Sequence, residues 1–126
     1  MADALAQFEQ AKYLSLETFR KSGVGVKTPV WFAQKPGQPI FYIYSEADAG
    51  KVKRIRNNAK VRLAPCSVRG EVRGAWVDGT ARICSGEEIT LGQQLLRRKY
   101  GWQKRIGDFF SRLLGHKQAV LAIEIG

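Results

Sequence analysis

Strand-forming runs of six to twelve residues, each closed by glycine, proline or polar residues, recur along this chain and leave few folds open to it. Tyr13, Leu14, Leu16 and Phe19 open the first such stretch, which ends at Ser22-Gly23. Val24 to Lys35 (VGVKTPVWFAQK) is dense in β-branched and aromatic residues, a composition that suits a pleated, half-buried surface. Pro29 has no N–H to give to a ladder, so this strand belongs at an edge, at a bulge or against a ligand. Pro36-Gly37-Gln38-Pro39 reads as a turn, and IFYIYS returns from it as the second arm of a hairpin. Val61 to Cys66, Ala75 to Cys84 and QAVLAIEI complete a set of six strands. In AWVDGTARIC the alternation of Ala75, Val77, Gly79, Ala81 and Ile83 favours one bent strand over a hairpin at Asp78-Gly79.

Short helices punctuate these strands. Leu5, Phe8 and Ala11 recur at helical spacing near the N-terminus. Val52, Ile55 and Ala59 do so between basic residues, with Asn57-Asn58 marking an end. Ser85 and Glu88 match a capping box ahead of Ile89, Leu91, Leu95 and Leu96, and Trp102 to Leu114 reads as a further helix. The expected fold is therefore mainly β on the α+β border: a small antiparallel barrel with flanking helices, forming a single domain over residues 1–126.

Composition narrows the chemistry. Cys66 and Cys84 are the only cysteines and form no Cys-x-x-Cys motif, so reduced, buried thiols are expected. His116 is the only histidine, too few ligands for a protein metal centre and no partner for a nucleophile elbow. No GxGxxG or GxxxxGK[ST] occurs. No apolar run approaches the roughly 20 residues of a membrane span, and MADALAQFEQ lacks a basic, apolar leader, so a cytoplasmic location is expected. Any redox chemistry would have to be borrowed from a cofactor.

The charge is the other asymmetry. Twenty-one Lys and Arg against eleven Asp and Glu leave +10 over 126 residues. Lys51, Lys53, Arg54, Arg56, Lys60 and Arg62 fall within twelve residues that contain no acid, and Arg97, Arg98, Lys99, Lys104 and Arg105 form a second group. For most of these a solvated helix face is the simple reading. Gly50 ahead of Lys51 adds a helix start whose free N–H groups could join the ammonium on a phosphate. A nucleic-acid footprint also fits the charge, but no nucleic-acid motif is present and the bases are split between two segments.

The order KTPVWF, IFYIYSEADAGKVKRIRNN, VRLAPC, RGAWVDGTARI and KYGWQKR resembles the pyridoxamine 5′-phosphate oxidase-like flavin and deazaflavin oxidoreductases over roughly residues 10–125. That resemblance implies a six-stranded split β-barrel, a homodimer with cofactor sites between protomers, and FMN or the deazaflavin coenzyme F420 as cofactor. It implies that Thr28, Pro29 and Val30 lie along the ring, and that Ser45, Lys51, Lys53 and Arg54 hold the phosphate. Trp76 and the Lys99-Tyr100-Gly101-Trp102 segment are candidates to close the site from the other protomer. The implied activity is hydride transfer to or from a small organic substrate. A flavin-carrying module without activity, or a nucleic-acid binder, is the alternative.

Overall fold

The computed structural model describes residues 5–100 and 118–126. The strands are β1 (Tyr13–Phe19), β2 (Gly25–Val30), β3 (Phe32–Gln34), β4 (Ile40–Glu46), β5 (Lys60–Cys66), β6 (Val77–Ile83) and β7 (Gln118–Ile125). Two helices join them, α1 (Gly50–Asn57) and α2 (Glu87–Tyr100), preceded by a helical turn at residues 5–10. All seven strands form one antiparallel sheet in the order β2-β1-β5-β6-β7-β4-β3.

There are seven strands rather than the expected six, and the reason is Trp31. The stretch read as one strand from Val24 to Lys35 is split at Trp31, and its halves lie on opposite edges of the sheet. Three consecutive Cα atoms span at most about 7.6 Å, whereas the edges of a flat seven-stranded sheet stand about 29 Å apart. The sheet must therefore curl until its edges almost meet, which makes it a half-barrel. The edge position also accommodates Pro29, which sits opposite Ser15 in β2 where one side of the backbone has no ladder partner.

Alternation sorts the side chains onto two faces. Leu14, Leu16, Phe41, Ile43, Leu63, Leu121 and Ile123 fill the interior and are almost wholly buried. Phe8 enters this core edge-on to Phe32 and Phe41, at centroid distances of 6.0 and 5.0 Å. Val52 and Ile55 of α1 join the same core from one end. On the outer face of β4 and β7, Tyr42, Val120 and Ala122 pack under Leu95 and Leu96 of α2. Gly92 permits that approach, because a Cβ there would fall 2.6 Å from Val120 Cγ1 and 3.2 Å from Tyr42 Cδ1.

Two local expectations change. β6 begins at Val77 and runs unbroken through Asp78-Gly79, leaving Ala75 and Trp76 outside it. α2 begins at Glu87, directly after Gly86 in a positive-φ conformation, so Ser85 is not its cap. The Glu88 carboxylate instead takes two hydrogen bonds from Arg82 and one from the Tyr42 hydroxyl at 3.2 Å. A guanidinium across the strand outcompetes a capping role because charge-assisted bonds are the stronger ones. Arg82 is the chief reason that the Glu88 pKa is lowered.

Tyr100 fastens the crossing. Its hydroxyl accepts the Phe32 N–H at 3.0 Å and donates to the Lys12 carbonyl at 2.6 Å, with the ring 4% exposed. Tyr100→Phe leaves the buried Phe32 N–H without this acceptor, a defect worth about 1–3 kcal/mol. The expected result is a lower urea midpoint at unchanged m-value. A midpoint equal to that of the parent protein would show that the latch is dispensable.

Candidate functional site

A cavity of about 250 Å³ opens where the two edges of the sheet converge. Its walls are Tyr13 at the start of β1, Pro29 and Val30 at the end of β2, Trp31 at the crossing and Tyr44 on β4. Lys51, from the first turn of α1, and Val68, from the loop after β5, complete it. Three aromatic rings, a proline and two valines make a flat apolar seat with one cation and no carboxylate among its lining residues. The aromatic positions follow from the topology: the curl brings Tyr44, near one edge, to Pro29 at the other.

Of the residues that the sequence singles out, Pro29, Val30 and Lys51 meet in this cavity. Thr28 does not line it. Strand alternation places Thr28 with Val26 and Val30 opposite the inward-facing Leu16, while Pro29 projects from the exposed face. Ser45 is 2% exposed, shares the parity of Phe41 and Ile43, and donates only to the neighbouring Glu46 carbonyl at 3.1 Å. Lys53 is exposed on α1 and lies outside the cavity lining. Trp76 is half-buried on another part of the surface, with Lys27 Nζ 5.1 Å and Arg62 Cζ 5.0 Å from its ring. Trp102, the helix read over Trp102 to Leu114, and His116 lie outside the described residues.

Arg54 stands beside the cavity and not in its wall. Its Nε donates to Thr18 Oγ1 at 2.6 Å, and its guanidinium lies across the start of α1, where a Cβ on Gly50 would come within 2.8 Å of Nη1. That helix has no side-chain cap and no acid in its first turn, so its N–H groups and dipole are not neutralised locally. Burial lowers the pKa of Lys51, and the nearby Arg54 lowers it further against the opposing pull of Glu46. Burial likewise lowers that of Arg54, helped by Arg20 in the β1–β2 turn. Lys51 and Arg54 thus meet at the start of a helix, with the charge of Arg20 acting on Arg54, an arrangement that an anion would relieve.

Sequence reasoning missed Tyr13, Tyr44, Val68 and Arg20 as site residues. Tyr44 was visible as one of several strand aromatics, but no local signal separates it from a core residue. Its hydroxyl accepts from Gln93 Nε2 at 3.1 Å, and burial raises its pKa. Within the chain Lys99 and Tyr100, the described part of the segment expected to close the site of the other protomer, brace the crossing. Lys99 Nζ sits 3.3 Å above the ring of Phe32, and loss of hydration there pulls its pKa down to about 8 although much of the side chain is exposed. Among the described residues no three His, Cys, Asp or Glu side chains gather as a metal site, and no helix is long and apolar enough to cross a membrane. Cys66 and Cys84 are both buried, and burial followed by the Glu88 charge pushes the Cys84 thiol up to about 12.

Solved structures with this architecture are split barrels. A provisional 5-nitroimidazole antibiotic resistance protein from Bacteroides thetaiotaomicron superposes with a TM-score of 0.73 at 13% identity, over 98% of this chain and 78% of that one. The heme storage protein HutZ from Vibrio cholerae gives 0.68 at 14% identity, over 99% and 89%. A protein of the pyridoxinephosphate oxidase family from Clostridium acetobutylicum, related to general stress protein 26, gives 0.68 at 14% identity, over 98% and 82%. No family model and no curated protein matches the chain. The fold is therefore the split barrel that these structures share, with seven strands in this sheet.

The depressed Lys99 pKa carries a sign. Between about 8 and its ordinary 10.5 the folded protein binds fewer protons at this group than the unfolded chain, so Lys99 makes stability rise with pH across that window. Below pH 8 the group is charged in both states and its penalty is constant. Lys99→Met should remove this contribution, so the parent should gain stability relative to the variant between pH 8 and 10 in urea titrations. Parallel curves for the two proteins would rule out the buried-ammonium account.

Proposed function

We propose that this chain is an oxidoreductase that seats a flavin-type cofactor, FMN or coenzyme F420, in the cavity at the sheet crossing, and that it works as a homodimer on a small organic substrate. The observation that carries this reading is the junction of an aromatic, proline-walled seat with Lys51 and the uncapped start of α1. A flat conjugated ring with an anionic tail matches both halves of that arrangement, and neither half suits the other's ligand. The resemblance in sequence and the shared split-barrel fold point the same way.

When bound, such a cofactor supplies hydride transfer, and the protein supplies orientation and electrostatics. Trp31 and Tyr44 bound the seat and keep water from the ring. Pro29 offers a rigid wall that demands no ladder hydrogen bond, and the edge strand β2 keeps backbone groups free for a ligand. Lys51 and the first N–H groups of α1 hold the anionic end, with Arg54 held in reserve by Thr18. The seat on one subunit is smaller than the roughly 300–1,000 Å³ of ordinary ligand pockets. Val68, 49% exposed at its rim, and Val72, 42% exposed nearby, offer apolar surface for a second copy to cover.

The visible spectrum of the purified protein, or of protein titrated with FMN and F420, tests the reading. Bound flavin or deazaflavin bands and twice the chain mass by light scattering are expected. A Soret band would move the reading to heme, and a colourless protein that retards DNA would move it to nucleic-acid binding.

The phosphate grip has a sharper test. Lys51→Ala removes one charge-assisted contact worth about 1.5–3 kcal/mol, so cofactor affinity should fall about 10-fold or more. Lys53→Ala removes the same charge from the exposed face and should change affinity less than about 3-fold. Equal losses would indicate general attraction to a protein of +10 rather than a local grip.

A further inference from the structure

The cofactor seat has a neighbour. A second cavity of about 550 Å³ shares Tyr13 and Val68 with it, so one wall divides the two spaces. Its size lies within the range of small-molecule pockets. Pro65, Cys66 and Val68 give it an apolar floor, and burial raises the Cys66 pKa and keeps that thiol neutral. The charged residues of its lining are Lys12 and Arg73, and no carboxylate accompanies them. The ion pairs found among the described residues, Arg62–Glu17, Arg82–Glu88 and Arg82–Glu124, leave both cations unpaired.

The walls are held in place by bonds between distant segments. Gln7 clamps Ala75 from both ends of its amide, donating to the carbonyl at 2.8 Å and accepting the N–H at 2.9 Å. Gly74 leaves room for that clamp, since a Cβ there would meet the Gln7 amide oxygen and Pro65 Cγ. The Arg73 N–H donates to the Pro65 carbonyl at 2.7 Å, and the Lys12 carbonyl receives the Tyr100 hydroxyl, so the backbones that carry both cations are anchored. Two cations carried on anchored backbone beside an apolar floor, one of them a guanidinium whose planar fork fits two oxygens, favour an organic anion.

We propose that this second cavity is the substrate pocket of the same site and that it takes a small organic carboxylate, its anionic end on Arg73 and Lys12 and its apolar body against Tyr13 and Val68. The assignment rests on the reading of the first cavity as the cofactor seat, because it is the shared Tyr13 wall that sets a bound carboxylate beside the ring.

Benzoate and its neutral isostere benzamide are suitable probes, titrated into the cofactor-loaded protein while amide chemical shifts and cofactor absorbance are followed in the same samples. Benzoate should shift the amides of residues 10–13 and 66–68 and perturb the cofactor band, with benzamide binding at least 10-fold more weakly. Arg73→Gln and Lys12→Gln should each weaken benzoate binding about 10-fold while the protein keeps its cofactor. Lys60→Gln, which lines neither cavity, should leave it unchanged. Equal binding of the two probes, equal losses in all three variants, or shifts confined elsewhere overturn the assignment. If the cofactor remains bound in that case, the substrate pocket alone is lost. If neither FMN nor F420 binds, the cofactor reading fails, and the substrate assignment falls with it even where benzoate binds through Arg73.

Discussion

The single-residue passage from Val30 through Trp31 to Phe32 is the constraint from which the rest of the molecule follows. It obliges strands at opposite edges of a seven-stranded sheet to lie only one residue apart along the chain. Closure on that scale cannot be met by twist alone, so the sheet coils around a filled interior. Phe32 immediately enters the aromatic cluster with Phe8 and Phe41, which ties the crossing to the core. Tyr100, at the end of α2, satisfies the Phe32 N–H and the Lys12 carbonyl together, so one hydroxyl couples the helix, the crossing and the segment leading into β1. The cavity opens at this place because curled edges that meet at a point leave a cleft beside it.

Charge in the structure is divided between two uses. Around Arg82, carboxylates from α2 and β7 neutralise a guanidinium, and the set also holds the buried Tyr42 hydroxyl. Near the cavity the balance differs: burial disfavours the charged forms of Lys51 and Arg54, and a neighbouring cation adds to the cost at each, Arg54 for Lys51 and Arg20 for Arg54. In the proposed reading an anion bound beside the helix N-terminus and the aromatic seat would relieve this like charge, which Glu46 offsets in part at Lys51. The surplus of +10 draws anions to the whole surface, but over a Debye length of about 10 Å that attraction is screened, and only the local arrangement discriminates.

Much of the architecture is legible in the sequence, because hydrophobic alternation and the Gly and Pro punctuation are local signals. Gly23 and Gly37 take positive φ at the turns where the sequence places them. Val52 and Ile55 bury one face of α1 as their spacing requires, and the continuity of β6 through Asp78-Gly79 follows from its alternation. Failures have a common origin. Ser85 and Glu88 satisfy a capping pattern, yet Arg82 from β6 claims the carboxylate. Thr28, Pro29 and Val30 adjoin in sequence, but strand alternation turns their side chains to different sides, and Thr28 does not line the cavity. Lys51 and Lys53 look equivalent in sequence, but two residues along a helix put them about 200° apart, and only one faces the cavity.

By itself the sequence determined most of the strands, the turns, the irregularity at Pro29 and the clustering of cations from Lys51 to Arg62, since each depends on neighbours within a few residues. Only the tertiary structure decided that the Val24–Lys35 run is two strands, that Tyr13, Tyr44 and Val68 share a cavity with Lys51, and that Tyr100 is a latch. Those outcomes depend on contacts between different strands, helices and loops, up to 88 positions apart in the case of Tyr100 and Lys12. No periodicity encodes them, because they arise when a sheet closes on itself and its two edges become neighbours.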